Sequence, residues 1–177
     1  MSSGESSNQG IVASLVPWQV GRSFGVPERT ILRSIALSHL LNAFVKCHTG
    51  GLAPICGCAI AAGVGAAGAI VYQRNGKDIK GIGLAINNVI SDIGGMLCDG
   101  AKSGCSLKVV SSTDSAIRSG YMGIHHYGIT AVEGFVGRRP EETVRNLAKI
   151  SMVGMAEVDA TIVGIMMDKQ SSGPCLA

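Results

Sequence analysis

The sequence has few aromatic and few charged side chains. It contains one tryptophan, three tyrosines and three phenylalanines among 177 residues, and charged residues make up 15% of the chain. Aromatic side chains on which bases could stack are therefore scarce, and no run of basic residues that would bind nucleic acids is present. With 46% hydrophobic residues and a net charge of +3, the chain is also neither disordered nor a charged coiled coil. We expect a globular protein with no nucleic-acid partner.

The N-terminus lacks the basic start and the apolar run of a secretory signal. Six cysteines without such a signal predict a cytoplasmic protein with reduced thiols. Residues 53–72 carry no charge and reach membrane-spanning length. They are mostly alanine and glycine, however, and small residues favour a helix packed closely inside a bundle. We therefore expect no membrane partner.

Helical periodicity dominates the chain, and no strand-length alternation is evident. A single domain needs neither disulfides nor metals at this length. The pattern predicts an all-α fold: a single compact helical domain over residues 1–170 with a flexible tail at 171–177. A glycine-bearing loop lies between two buried helices. The predicted helices cover residues 11–24, 27–48, 53–74, 79–96, 114–124 and a final pair over 140–169.

Three cysteines stand out by their surroundings. Cys98 and Cys105 lie in one loop with Gly100 and Gly104, and glycine lets a backbone wrap closely around a bound group. Cys56 lies where the small-residue helix is predicted to begin, a position that favours a thiolate. Thiolates suit iron–sulfur clusters or zinc. The alternative is that these cysteines are small buried hydrophobes, the commonest role of a free cysteine.

Three stretches carry a resemblance to a known family. Residues 90–108, which include the cysteine loop, closely resemble the L-cysteine desulfidase family, a relative of the iron–sulfur L-serine dehydratase α chain. Residues 7–11 and 52–59 match the same family, and so does the segment 38–40. The resemblance covers nearly the whole chain.

The resemblance implies a [4Fe–4S] cluster held by Cys56, Cys98 and Cys105, with one iron left open. Cys58 belongs to the same motif but lies outside the family's ligand set. On a helix that begins near Cys56, Cys58 would point about 200° away from it. We therefore expect Cys58 to be a packing residue.

The implied activity is that of a carbon–sulfur lyase in cysteine catabolism, which converts L-cysteine to pyruvate, ammonia and sulfide. His39 and Lys108 are candidate catalytic residues, although His39 also suits a core position and Lys108 an exposed one. The amide and hydroxyl groups of the candidate substrate-binding residues can equally cap helices. These candidates are Asn8, Gln9, Gly10, Lys108 and Ser112.

Two other functions are compatible with the same residues. The open iron would also expel hydroxide from L-serine, and a three-thiolate site, with zinc for example, can simply stabilise a non-catalytic scaffold subunit. Members of the resembled family are more than twice as long as this chain. The chain is therefore expected to be a fragment or one subunit of a larger enzyme. Either a partner chain supplies the N-terminal half, or the chain forms a homo-oligomer.

Overall fold

The structure is a computed structural model that describes residues 2–4 and 6–171, and this part of the chain contains helices and no strand. The prediction of an all-α fold is confirmed. The limit at residue 170 stays a prediction, and positions 172–177 of the predicted tail lie outside the described residues. The helices are α1 (Ser7–Ser23), α2 (Glu28–Thr49), α3 (Ile60–Asn75), α4 (Ile79–Ile93), α5 (Cys105–Ile124), α6 (Pro140–Lys149) and α7 (Val158–Ser171), with a π-helical turn at Ile150–Gly154.

The small-residue helix α3 lies at the centre of the bundle. Every residue from Ile60 to Val71 is buried, and α1, α2, α4 and α5 all pack against this helix. Alanine and glycine permit this because they let neighbouring helices approach from several sides at once. The prediction that this uncharged segment forms an interior helix is confirmed.

Three predicted helix starts are wrong, and the first is that of α1, which begins at Ser7 rather than at residue 11. Helix α3 begins at Ile60 rather than next to Cys56, because residues 55–59 form a turn anchored by a β-bridge between Ile55 and Leu97. Helix α5 begins at Cys105 rather than near Asp114. The serine- and threonine-rich stretch before Asp114 suggests caps, but the Ser111 and Thr113 hydroxyls bond back to carbonyls one turn earlier in the helix and leave it continuous.

The C-terminal helices are more exposed than their methionine pattern suggests. The helical spacing of Met152, Met166 and Met167 predicts that they lie in the core, yet all three are more than half exposed, and α7 has no buried residue. Met155 does pack against the core. Within the described part of the chain, no single helix is long and apolar enough to cross a membrane, although the bent pair formed by residues 140–154 and 158–171 meets that length and composition together.

Close packing between α2 and α3 depends on Gly65. A Cβ added there would lie 2.3 Å from the Ser38 carbonyl oxygen. We expect Gly65→Ala to lower the free energy of unfolding by about 1–3 kcal/mol, since backbone cannot yield as a side chain does. Urea unfolding measures this change. Gly164→Ala is the control, because no neighbouring atom lies within 4 Å and the free energy should not fall; an equal loss in both variants would contradict the packing argument.

Candidate functional site

A pocket of about 450 Å³ lies where the N-terminal ends of α1 and α3 meet the C-terminal end of α2. Its walls combine apolar, thiol, amide and charged groups. Among the described residues, Lys46 and Asp159 are the charged side chains of this lining. The remaining lining residues are Gly4, Ser6, Gln9, Gly51, Leu52, Ala53, Ile55, Cys56, Gly57, Cys58, Cys98 and Gly100.

The β-bridge brings two of the predicted ligands to this pocket. The Cys56 N–H donates to the Met96 carbonyl at 2.8 Å, and the Cys98 N–H donates to the Pro54 carbonyl at 2.7 Å. These two hydrogen bonds flank the Ile55–Leu97 bridge and hold the two segments side by side. Cys56 and Cys98 therefore line one pocket although they are far apart in sequence.

Cys105, the third predicted ligand, lies next to the pocket rather than in its lining. Its thiol donates to the carbonyl of Gly100, a lining residue, at 3.6 Å. In the described part of the chain, no group of three histidine, cysteine or acidic side chains is already arranged to hold a metal ion. The donors nevertheless fit an iron–sulfur cluster in kind, because two soft thiols share the pocket and the third contacts its wall. Ligation by all three stays a prediction.

Cys58 faces the pocket, which corrects the expectation that it points away. The expectation assumed helical geometry between Cys56 and Cys58, whereas these residues lie in the turn that precedes α3. Both thiols line the same pocket. The Cys58 thiol also lies 3.2 Å from the Ser6 hydroxyl, so that Ser6 contacts the α3 turn rather than capping its own helix, α1.

The two neighbouring thiols differ in acidity. A hydrogen bond from Cys56 lowers the pKa of Cys58, and the Ser6 hydroxyl and the Lys46 ammonium act in the same direction. The same hydrogen bond, together with burial, raises the pKa of Cys56. Cys58 is therefore the thiol of this pair that loses its proton first.

Lys108 orders the segment that carries Cys98. Its ammonium donates to the Leu97 carbonyl at 2.8 Å and to the Asp99 carboxylate at 2.7 Å, so α5 grips the residues on both sides of Cys98. Burial lowers the pKa of Lys108, but the pairing with Asp99 outweighs it and holds this pKa above its usual value. Hydrogen bonds from Lys102 and Lys108 in turn hold the pKa of Asp99 well below its usual range.

His39 lies outside the pocket lining, between α1 and α2. Its Nδ1 lies 2.9 Å from the Ser3 hydroxyl and its Nε2 lies 3.0 Å from the Ser14 hydroxyl. Burial lowers the pKa of His39, which favours the neutral ring. The Ser3 hydroxyl also accepts a hydrogen bond from Asn42 at 2.7 Å. These contacts tie the segment before α1, including the lining residue Gly4, to α2.

The candidate substrate-binding residues are divided between the pocket and the helix packing. Gln9 lines the pocket, whereas Asn8 and Gly10, in the same first turn of α1, do not belong to its described lining. Ser112 is fully buried and donates its hydroxyl to the Ala59 carbonyl at 2.7 Å, which fastens α5 to the start of α3. Lys108 holds the Cys98 segment. The assignment of these residues to substrate stays a prediction.

Three polar or charged side chains of the lining were missed by the sequence analysis: Ser6, Lys46 and Asp159. Lys46 lies in the last turn of α2, where a basic residue is ordinary because it complements the helix dipole. Its spacing to the cysteines has no regularity that a motif would reveal. Only the packing of α2 against the α3 turn brings its ammonium to the pocket.

Comparisons with known proteins give a consistent result. The chain matches the serine dehydratase alpha chain family over residues 1–164. A UPF0597 protein of Elusimicrobium minutum is 69% identical over 169 residues, which cover 96% of this chain and 40% of that protein. A UPF0597 protein of Geobacter sulfurreducens is 67% identical over 174 residues, or 98% of this chain and 41% of that protein.

A more distant UPF0597 protein, from Caldanaerobacter subterraneus, is 41% identical over 172 residues, which cover 96% of this chain and 40% of that relative. The chain therefore spans about two fifths of the length of the curated relatives it matches. No solved structure is significantly similar to it.

The role of Lys108 is testable by amide hydrogen exchange. We expect Lys108→Met to speed the exchange of the Cys98 amide, because the Leu97 carbonyl and the Asp99 carboxylate lose their shared donor. Mass spectrometry of peptides that cover residues 96–104 measures the rate. Lys102→Met is the matched control, since Lys102 also pairs with Asp99 but is half exposed and does not bond to the Leu97 carbonyl. If both variants speed the exchange of the Cys98 amide equally, then pairing with Asp99 alone orders this segment, and the bond from Lys108 to the Leu97 carbonyl adds nothing.

Proposed function

Because this chain belongs to the serine dehydratase alpha chain family, we propose that it carries the iron–sulfur part of a lyase that eliminates sulfide from L-cysteine. The observation that supports this proposal most is the placement of Cys56 and Cys98 in one pocket, with Cys105 against its wall. The net reaction converts L-cysteine and water to pyruvate, ammonia and hydrogen sulfide.

We assign the cluster to Cys56, Cys98 and Cys105. Bound there, a [4Fe–4S] cluster with one open iron supplies a Lewis acid for the departing sulfur of the substrate. The chain's own groups orient its ligands. The Ile55–Leu97 bridge sets Cys56 beside Cys98, and Lys108 holds the backbone on both sides of Cys98.

Elimination also requires a group that accepts the α-proton. Lys108 is poorly suited to this task, because its pairing with Asp99 favours the protonated form. His39 contacts Ser3 and Ser14 and lies outside the pocket lining. We therefore propose that the proton acceptor lies in the region of the longer relatives that this chain does not cover. That region would be supplied by a partner chain or by a longer polypeptide.

A second candidate function is dehydration of L-serine. The description of the matching family favours it, and the chemistry differs only in the leaving group, hydroxide in place of sulfide. The same pocket and the same ligands serve both reactions. The two functions are distinguished by measuring pyruvate formation from L-cysteine and from L-serine in parallel. The assay contains this chain together with a polypeptide that covers the remaining part of a relative's length. Faster pyruvate formation from L-serine would replace the first proposal with the second.

The cluster assignment predicts how iron content depends on each cysteine. We expect Cys98→Ser to lower the iron and acid-labile sulfide of anaerobically reconstituted protein sharply, because serine replaces a soft ligand with a hard one. Cys105→Ser should do the same. Cys58→Ser should retain iron, since the resemblance places this residue outside the ligand set.

Cys47→Ser is the matched control, because Cys47 is an exposed thiol on α2 that does not belong to the pocket lining. Absorbance near 400 nm, about where thiolate-bound clusters absorb, separates a cluster from zinc. Full iron in Cys98→Ser, or loss of iron in Cys47→Ser, would overturn the assignment. A colourless protein that binds zinc through Cys98 would instead support the scaffold alternative.

A further inference from the structure

Lys46 brings an ammonium group to the cysteine pocket. Its Nζ donates to the Gly51 carbonyl at 2.7 Å, and both residues line the pocket. An ammonium group has three N–H donors, and Gly51 is the one hydrogen-bond partner of Nζ among the described residues. Two donors therefore remain for a ligand.

The amide of Gln9 meets this ammonium at one point of the pocket wall. A Cβ added at Gly57 would lie 3.2 Å from the Gln9 Nε2 and 3.3 Å from the Lys46 Nζ. Gly57 lies between Cys56 and Cys58. The absence of a side chain at Gly57 therefore lets an amide N–H and a positive charge approach the backbone between the two thiols.

Gln9 also holds an unsatisfied acceptor in the same wall. The side chain is only 3% exposed, and its Nε2 donates to the Gly4 carbonyl at 3.0 Å. Its Oε1 is fully buried and has no hydrogen-bond partner among the described residues. A buried amide oxygen without a partner costs free energy, which a donor on a bound ligand would recover. The pocket wall therefore contains both a cation and a buried acceptor that lacks a partner in the described part of the chain.

The surrounding backbone reinforces the preference for a negative group near Lys46. Helices α1 and α3 both begin at the pocket, and a helix N-terminus carries partial positive charge. The first N–H groups of α3 are already paired with carbonyls of the preceding turn, so that α3 contributes its dipole alone. Asp159 is the one carboxylate among the described lining residues, on the exposed helix α7. A ligand with a carboxylate and an ammonium on one carbon matches this combination of groups.

We propose that Lys46 binds the α-carboxylate of the amino-acid substrate, with the Gln9 Oε1 accepting a hydrogen bond from the α-ammonium. This inference rests on the proposed function for the identity of the substrate. Bound this way, the amino acid lies in the pocket next to Lys46 and Gln9, and its side chain extends towards Cys56 and Cys98, which line the same pocket. Lys46 is then the residue that selects free amino acids over amides and amines.

Binding of L-alanine and L-alaninamide tests the proposal without any reaction, because neither has a leaving group. Both carry the α-ammonium, and only L-alanine carries the carboxylate. We expect the wild-type chain to bind L-alanine at least ten-fold more tightly than L-alaninamide in isothermal titration calorimetry. Lys46→Met should weaken L-alanine binding at least ten-fold and leave L-alaninamide unchanged, whereas Lys46→Arg should retain most of the affinity.

Lys80→Met is the matched control, because Lys80 is exposed on α4 and is not part of the pocket lining. Thermal unfolding of each variant shows whether the fold is retained, and the Lys46→Arg result separates a lost charge from a disturbed pocket. Equal affinities for the two ligands, no detectable L-alanine binding, or unchanged affinity in Lys46→Met would each overturn the proposal.

The outcome is distinguishable from that of the proposed elimination. If no pyruvate forms from L-cysteine or L-serine but L-alanine binding depends on Lys46, the carboxylate site stands and the lyase assignment fails. If pyruvate forms and Lys46→Met changes neither the KM nor L-alanine binding, the lyase assignment stands and the carboxylate site is wrong.

Discussion

The whole arrangement depends on how closely α2 and α5 approach α3. At Gly65 the backbone of α2 lies where any side chain would meet the Ser38 carbonyl, and at Gly120 the backbone of α5 lies against Ile70. A bulkier α3 would push both neighbours outward. Because α2 delivers Lys46 and α5 delivers Lys108, the same small residues that bury α3 also bring the two ammonium groups to the cysteine segments.

Much of the fold follows from the sequence alone. Proline before Glu28 and the glycine pair after Thr49 delimit α2 closely, and the uncharged alanine–glycine segment correctly indicates an interior helix. Helix starts without such signals were misplaced. The turn at residues 55–59 owes its shape to pairing with Leu97, a distant residue whose partner no local pattern reveals. The orientation of Cys58 was wrong for this reason.

The candidate site was predictable only in part, and for a physical reason. Cysteine spacing alone left buried hydrophobes, zinc and a cluster open, with burial the commonest role of a free cysteine, and the resemblance supplied the ligand set. The electrostatic partners of the cysteines come from other helices. Lys108 is visible because it follows Cys105 closely, but Lys46 reaches the pocket only through the packing of α2. A charged residue that acts on a site in another helix produces no regular spacing in the sequence from which that contact could be predicted.

The β-bridge constrains the lengths of α3 and α4, which form a helical hairpin between the two bridged segments. Helix α3 has 16 residues and α4 has 15, so their lengths are about 24 and 22 Å and the chain returns to the level at which it left. Ile55 meets Leu97 only because the two arms of this hairpin, α3 and α4, have nearly equal lengths. Removing one turn from either arm would displace one cysteine by about 5.4 Å, whereas residues inserted at the far turn near Gly76 would leave the cysteines opposed. Insertions and deletions should therefore be accepted at that turn and excluded from the arms.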